Sequence, residues 1–209
     1  MNKVLLFLLL LPLSLYAKMY NGTITFNDGS LKSGLITLPK YRTSKLKFRQ
    51  NPNAGTERYA IDEVREFTIL DDDNETVKFV ALKTAGMERQ KASEDKAWLQ
   101  IVKKGKISLL SYYYMVPATG GTVDVAATPC YAFYIQKPGD DFCTYIYVTT
   151  FGHRLNDRDF KDFKITLSEL FKDACPNLTE SLTKEDFKAK GLEIVVELYE
   201  QHCGLMIVE

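Results

Sequence analysis

From Tyr20 to Val148 apolar and polar residues alternate in short runs, and clusters of Gly, Pro, Asn and Asp cut the runs at regular intervals. A period of two puts successive side chains on opposite faces of an extended chain, so this stretch is confined to short, half-buried strands joined by tight connections. Gly22 to Phe26 ends at Asn27-Asp28-Gly29, a turn that accepts positive φ, and Leu31 to Leu38 completes a hairpin closed by Pro39. Lys45 to Gln50 is the next alternating run, followed by the Asn51 to Gly55 loop and by Arg58 to Leu70, interrupted near Asp62. The acidic turn Asp71 to Glu75 leads to Val77–Leu82. Residues 84–96 are polar and predict an exposed loop with one helical turn, after which Trp98 to Val102 pairs with Ile107 to Tyr114. Residues 117–129 predict a mobile loop, and Tyr131 to Gln136 with Thr144 to Val148 a hairpin around residues 138–141.

At Thr166 the period changes to about 3.6. Thr166 and Glu169 have capping-box spacing, and Leu167, Leu170, Phe171 and Ala174 form an apolar stripe that stops at Pro176. A second start at Thr183 to Asp186 predicts one longer helix with Leu192, Val195, Val196 and Tyr199 inward, ending before Gly204. The expected fold is α+β: a mostly antiparallel, β-rich domain of small barrel-like or sandwich-like hairpins followed by two or three C-terminal helices. The expected organisation is a leader over residues 1–17, a β-rich region over 18–150 with a subdivision near 84–97, and a helical segment over 151–209 that packs on the sheet.

The leader is read from Asn2 and Lys3, the apolar run Val4 to Leu13, and Ser14-Leu15-Tyr16-Ala17 before the polar Lys18. That order is the signature of a cleavable secretory signal, and the run is shorter than the roughly 20 residues a spanning helix needs. Cleavage is expected near Ala17, with no stable transmembrane segment in the mature chain, placing the product in the periplasm or outside the cell. Without Lys3 the mature chain carries 26 basic and 27 acidic side chains. Such a balance argues against a nucleic-acid partner and against a polybasic membrane binder. Gly120-Gly121 lacks the Lys-Ser/Thr of a phosphate loop, and no cofactor is expected.

The order Gly22-x-Ile24, Asp28-Gly29-Ser30, Gly34-x-Ile36, Lys47-Phe48-Arg49, Tyr59 and Asp62-x-Val64-x-x-Phe67 resembles the opening domain of uncharacterised exported Bacteroidetes proteins. Trp98 to Val102, the aromatic strand near Tyr131, and a tail of Leu167 to Phe171, Cys175-Pro176, Phe187, Leu192, Tyr199 and Cys203 occur in the same order. The resemblance implies a scaffold. Some relatives are fused to an outer-membrane barrel; this sequence stops at Glu209, and direct membrane insertion is not expected of it.

Four cysteines in an exported chain point to disulfide chemistry. Cys175 extends the stripe of Leu167 and Phe171, and Cys203 that of Leu192, Val196 and Tyr199, so both face inward. A Cys175–Cys203 bridge is expected, worth about 3–4 kcal/mol in the loop-entropy account. Cys130 and Cys143 fall roughly 20 Å apart across their hairpin at about 3.3 Å per residue, and are expected free and buried. A zinc site from Cys175, His202 and Cys203 lacks the paired spacing of structural sites.

His153 and His202 are the only histidines. His153 could meet Asp157 and a serine in a hydrolase, but no nucleophile-elbow motif accompanies it. Asp71, Asp73 and Glu75 alternate as calcium ligands would, without the glycine and distant glutamate of an EF-hand loop. The aromatic runs remain. Tyr112, Tyr113, Tyr114, Tyr145 and Tyr147 must present rings on both faces of their strands, one set filling the core and the other available for binding. The chain is therefore expected to be a non-catalytic binding module of the cell envelope whose partner is an envelope protein or surface component. Its alternatives are a hydrolase built on His153 and a structural accessory of an outer-membrane assembly.

Overall fold

The computed structural model of the chain describes residues 18–40, 42–86, 92–117 and 127–203. The expected leader over 1–17 and most of the expected loop at 117–129 lie outside the described residues. Ten strands come first: β1 Met19–Phe26, β2 Leu31–Thr37, β3 Lys45–Arg49, β4 Glu57–Ala60, β5 Val64–Leu70, β6 Thr76–Ala85, β7 Lys96–Lys104, β8 Ser108–Val116, β9 Thr128–Gln136 and β10 Phe142–Thr150. Three α-helices follow, α1 Asp157–Phe171, α2 Lys184–Lys190 and α3 Ile194–His202, with a 3-10 turn at Pro176–Leu178 and another at Gly191–Glu193. This is the α+β arrangement expected from the change of period.

The strands run in the order β10-β9-β8-β7-β6-β5-β1-β2-β3-β4, and β10 also pairs with β6. The long strand β6 makes both links. Its residues Thr76 to Val80 pair antiparallel with β5, while Lys83 to Ala85 pair in parallel with β10. One edge of β6 thus serves two neighbours, which closes β6 to β10 into a five-stranded barrel with no free edge. The other five strands continue the sheet in the order β5-β1-β2-β3-β4. Their two outermost members, β4 and β5, are joined by the tight turn at residues 61–63.

Alternation decides what each strand buries. Ile24 faces Phe67, and Ile36 faces Phe48, across β1–β5 and β2–β3; all four are fully buried. They form the first core with Leu46, Val64 and Ile69. Gly22 and Gly34 lie opposite each other on β1 and β2. A Cβ at Gly34 would sit 2.6 Å from the Phe48 ring and 2.5 Å from the Arg49 carbonyl oxygen, so only glycine lets these strands curl this tightly.

Strand β7 meets apolar neighbours on both faces, which accounts for its nearly unbroken apolar run. Leu99 and Ile101 point into the β6–β10 barrel beside Val80, Leu82, Leu110 and Cys143. Trp98 joins the first core on the outside, and Val102 the core beneath the helices. The helical core takes Leu109, Ile135 and Ile146 from the barrel and Phe163, Leu167, Phe171 and Phe187 from the helices. Each such fully buried side chain contributes roughly 1.5–3 kcal/mol.

Two helix expectations are corrected. Thr166 does not start a helix: α1 starts nine residues earlier, where the Asn156 side chain accepts from the N–H groups of Arg158 and Asp159, and Asp159 reaches back to the Asn156 N–H. That reciprocal pair is a capping box built from Asn and Asp. Thr166 lies within α1 and donates its hydroxyl to the Asp162 carbonyl at 3.0 Å. The expected start at Thr183 is observed, its hydroxyl accepting the Asp186 N–H, but the single long helix is two. Gly191 ends α2 at φ +63°, and α3 begins after the 3-10 turn. Left-handed backbone there suits glycine alone.

Candidate functional site

The tyrosines divide among three environments. Tyr112 packs against the barrel interior with Tyr134, and Tyr114 stacks on Tyr112 at 6.4 Å. Tyr145 meets Tyr134 edge-on at 5.9 Å, and burial raises its hydroxyl pKa, with Tyr114 adding to the effect. A register shift between Tyr145 and Tyr147 then turns the next ring to the other side, as a bulge does. Tyr147 consequently packs under the helices, edge-on to Phe163 at 6.3 Å. Only Tyr113 of the five is exposed, at 50% of its surface.

Tyr113 opens onto a cleft of about 1410 Å³ on the outer face of β7, β8 and β9. Alternation places Trp98 and Gln100 of β7, Ser111 and Tyr113 of β8, and Tyr131 of β9 along this face. Gln100 lies directly opposite Ser111, and Tyr113 opposite Tyr131 with ring centroids 5.3 Å apart. One end is walled by the first core and by residues 38–40 and 42–44; residues 93–97 form another wall and Phe151 stands at the rim. The segment before β3 is clamped where the Arg42 N–H donates to the Tyr112 hydroxyl at 2.9 Å. Arg42 holds φ at +57°, a sparsely populated backbone for this residue.

The electrostatics of the cleft are balanced. Lys40, Arg42 and Lys96 are offset by Asp62, Glu94 and Asp95 among its lining residues, and Lys96 pairs with Asp62 at 3.1 Å. Burial, with a contribution from Tyr113, raises the Tyr131 hydroxyl pKa. Trp98 contributes the one unpaired polar atom: only 5% of it is exposed, and among the described residues its Nε1–H is the sole buried side-chain polar group without a hydrogen-bond partner. An unpaired buried donor costs roughly 1–3 kcal/mol.

His153 stands apart from the cleft. Its Nε2 lies 2.8 Å from Asp159 Oδ2, while Tyr147 donates to Asp159 Oδ1 at 2.7 Å and the Asn156 N–H to Oδ2 at 2.7 Å. Burial opposes ionisation of Asp159, but these hydrogen bonds outweigh it and hold the carboxyl below its ordinary range. Asp159 is thus the partner of His153; Asp157 instead pairs with Lys184 and Lys188. The cluster caps α1. The two thiols lie elsewhere: Cys130 and Cys143 are free and buried, and burial pushes the Cys143 thiol up to about 12, away from the thiolate form that reacts.

In the acidic turn, Asp71 Oδ1 accepts the N–H groups of Asp73 and Glu75, each at 2.9 Å, and Asn74 takes φ +61°. Asp72 pairs with Lys18. The Asp71 carboxylate is therefore occupied in shaping the turn, and among the described residues no three His, Cys, Asp or Glu side chains are grouped to hold a metal. Cys175 and Cys203 are bridged, with Cα atoms 5.7 Å apart.

Sequence reasoning finds the tyrosines but not the cleft. Gln100, Ser111 and the Leu38 to Ser44 segment carry no motif, because the cavity arises from packing a curled sheet beside a barrel. Only the outward register of Trp98, Gln100 and Tyr131 could have signalled it. No family model, curated protein or solved structure matches this chain.

Proposed function

We propose that this chain is an exported, non-catalytic binding module of the cell envelope and that the cleft over β7 to β9 is its binding site. Export rests on the order of residues 1–17, and the resemblance to exported Bacteroidetes proteins points the same way. The observation that carries the binding role is the cleft itself: rings at Tyr113, Tyr131 and Phe151, and polar groups at Gln100 and Ser111. Aromatic walls with a few placed polar groups are how ligand pockets combine affinity with orientation. The hydrolase alternative has less support, since His153 is engaged by Asp159 and not by a serine or cysteine. The accessory role in an outer-membrane assembly differs in needing no cleft.

The test is retention of the mature chain on immobilised cell-envelope fractions of the source organism. A Tyr113→Ala, Gln100→Ala double variant is expected to bind at least about tenfold more weakly, a loss of roughly 1.4 kcal/mol or more, and His153→Ala to bind normally. Retention unaffected by the cleft variant, or lost in His153→Ala, would overturn the proposal.

A further inference from the structure

Building on the proposal that the cleft is the binding site, we infer that its ligand is an uncharged oligosaccharide. The chemistry of the lining selects that class. Among the described residues three cationic and three anionic side chains line the cleft, a balance that does not select a phosphate chain or a polyanion. Beneath the cleft, β8 pairs with β9 along its whole length but with β7 only from Ser108 to Ser111, so a peptide added as a strand is the competing occupant that the experiment below must separate.

What the cleft does offer is side chains of two kinds. Tyr113 and Tyr131, tilted by 56° with centroids 5.3 Å apart, and Phe151, 72% exposed, present flat apolar surface. A pyranose carries an apolar C–H face that stacks on such rings, and hydroxyls around its rim that both donate and accept. Gln100 supplies a donor and an acceptor side by side, and Ser111 a hydroxyl. The volume of about 1410 Å³ exceeds the roughly 300–1,000 Å³ of ordinary small-molecule pockets, so the cleft holds a chain of sugars in place of one.

Trp98 is the only tryptophan, so its emission reports occupancy of the cleft. The mature chain is applied to an array of neutral, amino-sugar and uronic-acid oligosaccharides, and each hit is titrated with Trp98 emission as the readout. A library of uncharged hexapeptides is titrated in parallel. The expected result is that a neutral oligosaccharide binds and shifts Trp98 emission, and that Tyr113→Ala and Phe151→Ala, both at exposed positions, each weaken it at least about tenfold. Peptides that shift Trp98 emission while no sugar does would overturn the sugar assignment and leave the cleft as the site. Sugar binding that leaves Trp98 emission and the two variants unaffected would overturn the cleft. A preference for uronic-acid chains would overturn the uncharged class alone, and no binding in either arm would overturn both inferences.

Discussion

The Trp98 ring of β7 packs edge-on against Phe67 of β5, with centroids 5.3 Å apart and planes at 70°. This contact joins the first core to the barrel and fixes the wall of the cleft. Trp98→Ala should therefore destabilise the protein by about 3–5 kcal/mol, while Trp98→Phe, which keeps a smaller aromatic ring and removes the unpaired N–H, should cost less than Trp98→Ala. Urea denaturation curves for the two variants measure the difference.

The bridge between Cys175 and Cys203 spans 28 residues and ties the end of α3 to the segment after α1. Replacing both cysteines by Ala should lower unfolding free energy by about 3–4 kcal/mol. Thiol titration provides the complement: the native, unreduced protein should react slowly, and the denatured protein should release two thiols, Cys130 and Cys143.

Gly34 has no room for a side chain against Phe48 and the Arg49 carbonyl. Gly34→Ala should destabilise by about 1–3 kcal/mol through forced displacement of β3, whereas Gly55→Ala, with open space around it, should be nearly silent. Thermal melts of both variants decide this.

Glu197 on α3 accepts from Lys103 of β7 at 2.5 Å and from Lys190 of α2 at 2.6 Å. Those two bonds bring its carboxyl down from the ordinary 4.5 to about 2. Because the folded value lies below the unfolded one, the contribution is complete above pH 4.5 and is lost as pH falls toward 2. Melting temperature should thus fall less between pH 4.5 and 2 in Glu197→Gln than in the wild type, and the difference should shrink at high salt because the group is partly exposed.

Local chemistry made most of the scaffold legible. The ten strands follow from alternation, and the bridge from the inward register of Cys175 and Cys203. Two features escaped because they need more than local pattern. The start of α1 was hidden by the charged run Asp157 to Lys161, which dilutes the stripe begun by Phe160 and Phe163, and its Asn156/Asp159 cap differs from the usual Ser/Thr with Glu. The parallel pairing of β10 with β6 joins residues about sixty positions apart, and nothing in either strand specifies that partner. The cleft depends on that closure, so its lining was visible only as scattered tyrosines.

Hydrogen–deuterium exchange of residues 18–209 with and without a cell-envelope fraction tests the proposed binding role most directly, since it needs no variant. Binding in the cleft predicts slowed exchange in residues 38–44 and in β8 around Ser111 to Tyr113, with the 153–159 segment unchanged. Protection confined to 153–159, with β8 and residues 38–44 unaffected, would contradict it.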